Sequence, residues 1–350
     1  MTTGPFADLN VTNPVFAAPM AGGPSTPALV KAAASTGSLG FLAGGYKTPE
    51  VLAEQIKAVR AGSVPFGVNL FVPNRVPIDP AQFDRYARLI QPEAERYGLD
   101  VTRMSPLEDD DCWQAKIDLL VSDPVPVVGF TFAIPNRAVV DALHHAGSTL
   151  VQTVTSVEEA RGAADGGVDV LAVQSFEAGG HWGTFTPQHP PQLLGLLELV
   201  QRVRDAVELP ILAAGGIATS ADVGALLHAG ALAVLVGTVL LRTEESGASA
   251  PYKAALAEAG DSETSETIET IVTSAFTGRP ARALPNLFID RYNAAAPAGY
   301  PAVHHLTSPI RRAAVEAGDA ERINLWAGVG YRQVRQEPAA TVLNRLAGTA

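Results

Sequence analysis

Pro210-Ile211-Leu212-Ala213-Ala214-Gly215-Gly216-Ile217 is a short apolar run that stops on paired glycines, and Thr219-Ser220-Ala221-Asp222 behind it carries the hydroxyls and carboxylate of a helix start. A second apolar run, Leu232 to Val236, follows the helix-length stretch and stops on Gly237-Thr238. Strand, glycine turn, helix and strand make one unit of a parallel sheet. Both strands are almost wholly apolar, as strands covered on both faces are.

The same alternation runs back to the N-terminus. The further runs are Val15 to Ala18, Leu39 to Leu42, Phe66 to Phe71, Val125 to Phe132, Thr149 to Val154 and Val168 to Gln174, which makes eight. Helix starts fall between them. Ser25-Thr26-Pro27 and Thr48-Pro49-Glu50 each read as a cap with proline just inside, and Ser156 with Glu159 reads as a capping box. Asn136 to Ala146 and Pro191 to Val207 have helical spacing. Eight strands alternating with helices fit a closed (β/α)8 TIM barrel, an α/β fold, better than an open sheet.

Two segments exceed the minimal barrel, so helical insertions are expected after strands 3 and 8. Pro73 to Pro124 carries two helical spacings, Ala81 to Tyr97 and Asp111 to Val121. Glu244 to Pro301 is polar and rich in Ala, Thr and Glu before it reaches Thr277-Gly278-Arg279-Pro280. The expected division is a barrel over 1–243, with 73–124 inserted, and a C-terminal helical or lid extension over 244–350 that packs on it. Insertions at these places stand over the C-terminal mouth, where active sites of this fold lie. Surface decoration and contact between copies are the other uses of such loops.

Composition narrows the partners. The chain has 350 residues, with 25 Lys plus Arg against 36 Asp plus Glu and a net charge of −11. No basic run exceeds Arg311-Arg312, which argues against nucleic acid. At 47% hydrophobic and 17% charged residues the chain covers a large core, and apolar stretches such as Ala229 to Leu241 are too short to span a membrane. Met1 to Asn10 shows no secretory signal, and Cys112 is the one cysteine, so the expected compartment is the reducing cytoplasm. Beside Asp109-Asp110-Asp111 that thiol is a poor nucleophile. Monomer and homodimer both remain open.

Chemistry in a barrel collects just behind the strands. The first strand runs into Met20-Ala21-Gly22-Gly23, small residues against which a flat ligand can lie. Asn69 places an amide inside the apolar third strand, to be met either by a ligand ring edge or by neighbouring backbone. Gln174-Ser175-Phe176-Glu177-Ala178-Gly179-Gly180-His181 gathers an amide, a carboxylate, two glycines and an imidazole in one loop. Gly215-Gly216 and Gly237-Thr238 end the seventh and eighth strands, where such barrels bind phosphate, although each glycine alone reads as a tight turn. A phosphate joined to a flat ring would bridge these glycines to Asn69 and Gln174, and flavin mononucleotide (FMN) is the economical ligand.

Other site signals are weak. No G-x-G-x-x-G opens a helix, Gly40 to Lys47 fails the P-loop spacing, and Lys47 is the one lysine close behind a strand. His144-His145 and His304-His305 lack metal-ligand spacing, so no metal site is expected.

Taken in order, Ala18-Pro19-Met20-Ala21-Gly22-Gly23, Gly67-Val68-Asn69-Leu70-Phe71, Glu177-Ala178-Gly179-Gly180-His181-Trp182-Gly183, Ala214-Gly215-Gly216-Ile217, Val236-Gly237-Thr238 and Ser274-Ala275-Phe276-Thr277-Gly278-Arg279-Pro280-Ala281-Arg282 resemble the nitronate monooxygenase family over nearly the whole chain. The family's enzymes are FMN proteins on a (β/α)8 barrel, formerly called 2-nitropropane dioxygenases. The resemblance implies that Asn69, Gln174, Gly179, Gly180, Gly216, Gly237 and Thr238 hold the flavin with Met20 and Ala21 under its ring. It also implies that His181 is the active-site base and that Ser274 lies near the substrate. The chain departs from the family's pattern at Trp182, Val236 and Ala327-Gly328-Val329-Gly330. The expected reaction is oxidation of an alkyl nitronate by O2 to a carbonyl compound and nitrite. The alternatives are a flavin-dependent enoyl-acyl carrier protein reductase, a barrel that binds flavin without turnover, and a flavin-free isomerase or lyase of sugar phosphates.

Overall fold

The computed structural model describes residues 4–261 and 268–349. Residues 1–3, residue 350 and residues 262–267, which belong to the polar stretch behind the eighth barrel strand, lie outside the described residues. Eight parallel strands close on themselves: β1 (Val15–Ala17), β2 (Gly40–Ala43), β3 (Phe66–Phe71), β4 (Val127–Thr131), β5 (Thr149–Val154), β6 (Val170–Gln174), β8 (Ile211–Ala214) and β9 (Ala233–Val236). The closure is made by β9 on β1, with Val15 opposite Val234 and Ala17 opposite Val236. Strand β4 starts two residues later than its apolar run because Pro126 has no N–H for the ladder; its carbonyl still accepts from Thr149 N at 2.9 Å.

Successive side chains point into and out of the barrel. Phe16, Phe41, Val127, Val151, Leu212 and Leu235 fill the interior, with Phe6 and Val11 packed among them. Near the C-terminal ends the lining shrinks to Ala18, Ala43, Gly129, Ala172 and Ala214, which leaves the mouth hollow.

The outer wall consists of α1 (Pro27–Ser35), α2 (Pro49–Arg60), α4 (Trp113–Ser122), α5 (Arg137–His145), α6 (Val157–Gly166), α7 (Leu196–Arg204), α8 (Ser220–His228) and α12 (Ala339–Ala347). Helix starts follow the expected chemistry: the side chains of Thr26, Asn136 and Thr219 accept from Leu29 N, Val139 N and Asp222 N. The full capping box is at Thr219 and Asp222. Ser156 does accept from Glu159 N, but the Glu159 carboxylate reaches the N–H and hydroxyl of Thr155 and also holds Thr184 and Phe185 N. Helix α7 is shorter than the Pro191 to Val207 spacing because its start is set from outside, where Glu177 Oε2 accepts from Leu196 N at 3.0 Å.

Two wall helices lie in the segments that the sequence set apart as additions: α4 within 73–124, and α12 at the end of 244–350, between α8 and α1. The rest of those segments is α3 (Pro80–Glu95), α9 (Ala250–Asp261), α10 (Leu287–Tyr292), α11 (Ala302–Glu316) and the short strands β10 (Ile271–Thr273) and β11 (Ala281–Ala283). Helices α3, α10 and α11 share a second core built on Phe83, Tyr86, Phe276, Phe288 and Leu306. Buried Glu93 ties it together, bonding Arg322 Nε at 2.5 Å, Arg291 at 2.7 Å and the Tyr292 hydroxyl at 3.0 Å. No helix among the described residues is long and apolar enough to cross a membrane.

Candidate active site

The hollow mouth is a cavity of about 390 Å³, within the range of cofactor and ligand sites. Met20, Ala21, Gly22, Asn69, Gln174, Gly179, Gly180, His181, Gly215, Gly216, Gly237 and Thr238 all line it. Five stretches separated by up to 218 positions in the chain therefore converge on one space. The glycine turns behind β8 and β9 bring main chain to its edge: Gly215 and Gly216 take φ of 115° and 72°, which a side chain would strain. The N–H groups of Gly216, Ile217 and Thr238 make no hydrogen bond within the described residues. Unpartnered main-chain donors at a cavity edge are the donor set that a phosphate needs.

The two amides are partly committed to protein. Asn69 is buried and its amide exchanges hydrogen bonds with the Thr131 hydroxyl at 3.2 and 3.3 Å; a Cβ on Gly129 would sit 2.7 Å from its Oδ1, so glycine there makes the room. Gln174 Oε1 accepts from Gly183 N at 2.7 Å and its Nε2 donates to the His181 carbonyl at 3.3 Å. Gln174 thus anchors the loop that carries the imidazole.

That loop is fixed on its other side by a pairing the sequence did not announce. Gly180 and His181 form β7, which pairs antiparallel with β11, His181 opposite Ala281 and Gly180 opposite Arg282. Trp182 N donates to the Pro280 carbonyl at 3.0 Å. The loop packs tightly on the chain at Ala327 and Gly328, where a Cβ on Gly179 would lie 2.6 Å from Gly328 N.

The His181 ring is half-buried, lines the cavity and is walled by Phe132, Tyr300 and Trp326 at centroid distances of 5.9, 5.9 and 5.5 Å. Its Nε2 lies 2.9 Å from the Thr277 hydroxyl. Burial, then the charges of Arg279 and Arg311, push its pKa down from the ordinary histidine range to about 3. The imidazole is therefore neutral at working pH, the state a base requires. Arg279 is fully buried 3.9 Å above the Phe132 ring; Nη2 donates to the Thr184 carbonyl, while Nε and Nη1 have no hydrogen-bond partner among the described residues. Desolvation lowers even this guanidinium to about 10.

Ser274 does not reach the cavity. It sits in the turn after β10, with its N–H bonded to Asn293 Oδ1 at 3.1 Å, and the hydroxyl beside His181 belongs to Thr277, three residues on. The Ser274 to Arg282 motif carried the signal, but only the β7–β11 register shows which hydroxyl faces the imidazole. Tyr46, Phe132 and Trp326 are further cavity residues: Tyr46 and Phe132 follow β2 and β4 closely, and Trp326 comes from chain far from any barrel strand. Lys47 is turned away, its ammonium bonded to the Ala43 carbonyl and to Gln55. Cys112 is exposed at the start of α4.

The model of the nitronate monooxygenase family matches residues 5–347. The chain belongs to the nitronate monooxygenase family. Membership makes it an enzyme, an oxidoreductase of the nitronate-oxidising class. Among relatives, a probable nitronate monooxygenase of Staphylococcus aureus strain JH9 is 34% identical over 343 residues, 97% of this chain and 94% of that protein. Among solved structures, a nitroalkane oxidase from Streptomyces ansochromogenes is similar with a TM-score of 0.90 and 42% identity, covering 99% of this chain and 97% of that one. FabK from Thermotoga maritima shares the fold, with a TM-score of 0.74 at 24% identity over 100% of this chain and 96% of its own.

Proposed function

We propose that this nitronate monooxygenase family member binds FMN in the mouth of the barrel and oxidises alkyl nitronates with O2 to a carbonyl compound and nitrite. The observation that carries the reading is the convergence of one imidazole and a rim of unpartnered glycine-turn N–H groups on the same cavity. The N–H groups of Gly216, Ile217 and Thr238 suit the phosphate, and the small face at Met20, Ala21 and Gly22 suits a flat ring. Bound there, FMN supplies the electron-transfer chemistry that side chains lack.

The protein's own part is positional and acid–base. His181, held by Gln174 through its carbonyl and by β11 through its backbone, presents a neutral ring to the cavity. It removes the α-proton from a neutral nitroalkane and, only once it carries that proton, can donate a hydrogen bond to the oxygens of the nitro group. Phe132, Tyr300 and Trp326 exclude water from that ring. Buried Arg279 lends positive potential that favours an anionic substrate over its neutral conjugate acid.

The test is His181→Asn assayed with a nitroalkane and with its preformed nitronate on protein loaded with FMN. The expected result is a loss on the nitroalkane of order 100-fold or more, in the range of a lost general base, and a much smaller loss on the nitronate. Equal losses remove His181 as the base, and a protein that cannot be loaded with flavin removes the cofactor.

A further inference from the structure

We propose that the Thr277 hydroxyl fixes the tautomer of His181, placing the ring proton on Nε2 and leaving Nδ1 as the bare nitrogen at the cavity. The inference rests on the reading of His181 as base for its catalytic meaning, but its structural content stands on hydrogen-bond geometry alone.

A hydroxyl has one proton and two acceptor positions. Around Thr277 Oγ1 there are three groups: the Arg279 carbonyl at 3.1 Å, the Arg279 N–H at 3.4 Å and His181 Nε2 at 2.9 Å. The carbonyl can only accept and the N–H can only donate. The undecided group is Nε2, and it is decided by where the hydroxyl proton goes.

The Arg279 carbonyl belongs to a fully buried residue and has no other hydrogen-bond donor among the described residues. Turning the Thr277 proton toward His181 would orphan that carbonyl, and a buried unsatisfied acceptor is the costly state. Turning it toward the carbonyl costs nothing, because Nε2–H then donates into the free lone pair. The hydroxyl is filled on all three sides only in that arrangement. Thr277 is itself 1% exposed, so water does not supply a substitute donor.

The other ring nitrogen agrees. Nδ1 makes no hydrogen bond with any described residue and is not among the buried unpartnered atoms, so it retains open surface on a ring that lines the cavity. A lone pair there is free to meet a substrate proton. Thr277 touches the imidazole and not the cavity, which makes it a positioning residue acting through His181.

The experiment is a ¹⁵N spectrum of the purified protein labelled at histidine, with the His181 signals assigned by their loss in His181→Asn. The expected spectrum has Nε2 protonated and Nδ1 bare; a proton on Nδ1 overturns the proposal. Thr277→Val, which keeps the shape, should mix the two tautomers and lower kcat/KM for a neutral nitroalkane about fivefold, the weight of one ordinary hydrogen bond. Preformed nitronate should be spared, and Thr277→Ser should restore both the tautomer and the rate. An unchanged tautomer in Thr277→Val also overturns the proposal. If His181→Asn slows nitroalkane and nitronate equally, the base reading fails while the tautomer assignment is judged separately by the spectrum.

Discussion

Acid is the sharpest probe of the imidazole. An ordinary histidine, with a pKa of about 6.5, is only about one-tenth neutral at about pH 5.5. His181, pushed down to about 3, stays neutral there. If proton abstraction needs the neutral ring, kcat/KM for a neutral nitroalkane should hold its plateau value at that pH, where an ordinary histidine would have lost about nine-tenths of it. The assay is kcat/KM at constant ionic strength from about pH 5 to 8, because that ratio reports groups of the free enzyme. An acid limb with its midpoint near 6.5, present in the native protein and absent in His181→Asn, would refute the reasoning. Burial is the larger cause of the shift and Arg279 the next, so Arg279→Met should move the limb up only part of the way. Stability carries the same sign. The folded pKa lies below the unfolded one, so the unfolded chain takes up a proton that the folded chain refuses. Stability contributed by the neutral ring is complete above about pH 6.5 and is lost as pH falls toward 3.

Two substitutions test the scaffold. Gly179→Ala drives a Cβ into the main chain at Ala327 and Gly328, so it should cost about 1–3 kcal/mol in denaturant unfolding and weaken flavin retention. Gly224→Ala, exposed on α8 with nothing within 4 Å, should instead stabilise by about 0.5–1 kcal/mol; equal effects at the two sites would sink the steric argument. Glu93→Ala takes one of two carboxylates from buried Arg322, which keeps Asp319 at 3.0 Å, and a loss of about 1.5–3 kcal/mol is expected by thermal or chemical melting. A loss under about 1 kcal/mol would show that the pair is screened by solvent.

The barrel was legible because parallel strands covered on both faces leave uninterrupted apolar runs, and because caps such as Thr26-Pro27 and Thr219-Ser220 punctuate them. The rim glycines were legible for a related reason: positive φ at Gly215 and Gly216 is a demand of local backbone, and local demands are written in residue type. His181 could be picked out by its place behind the sixth barrel strand. Its surroundings could not. The helix start at Leu196 depends on Glu177, and the hydroxyl facing the imidazole is Thr277 rather than Ser274 because β7 pairs with β11 in one register. The walls at Tyr300 and Trp326 come from chain more than 100 positions away.

The sequence by itself determined the eight-fold alternation, the glycine turns and the imidazole, since each follows from preferences that act within a few residues. Only the tertiary structure decided that α4 and α12 belong to the barrel wall, that the Arg279 guanidinium lies buried over the Phe132 ring, and that burial pushes the His181 pKa down. Those outcomes depend on desolvation and on through-space contacts, and neither is a property of neighbours along the chain.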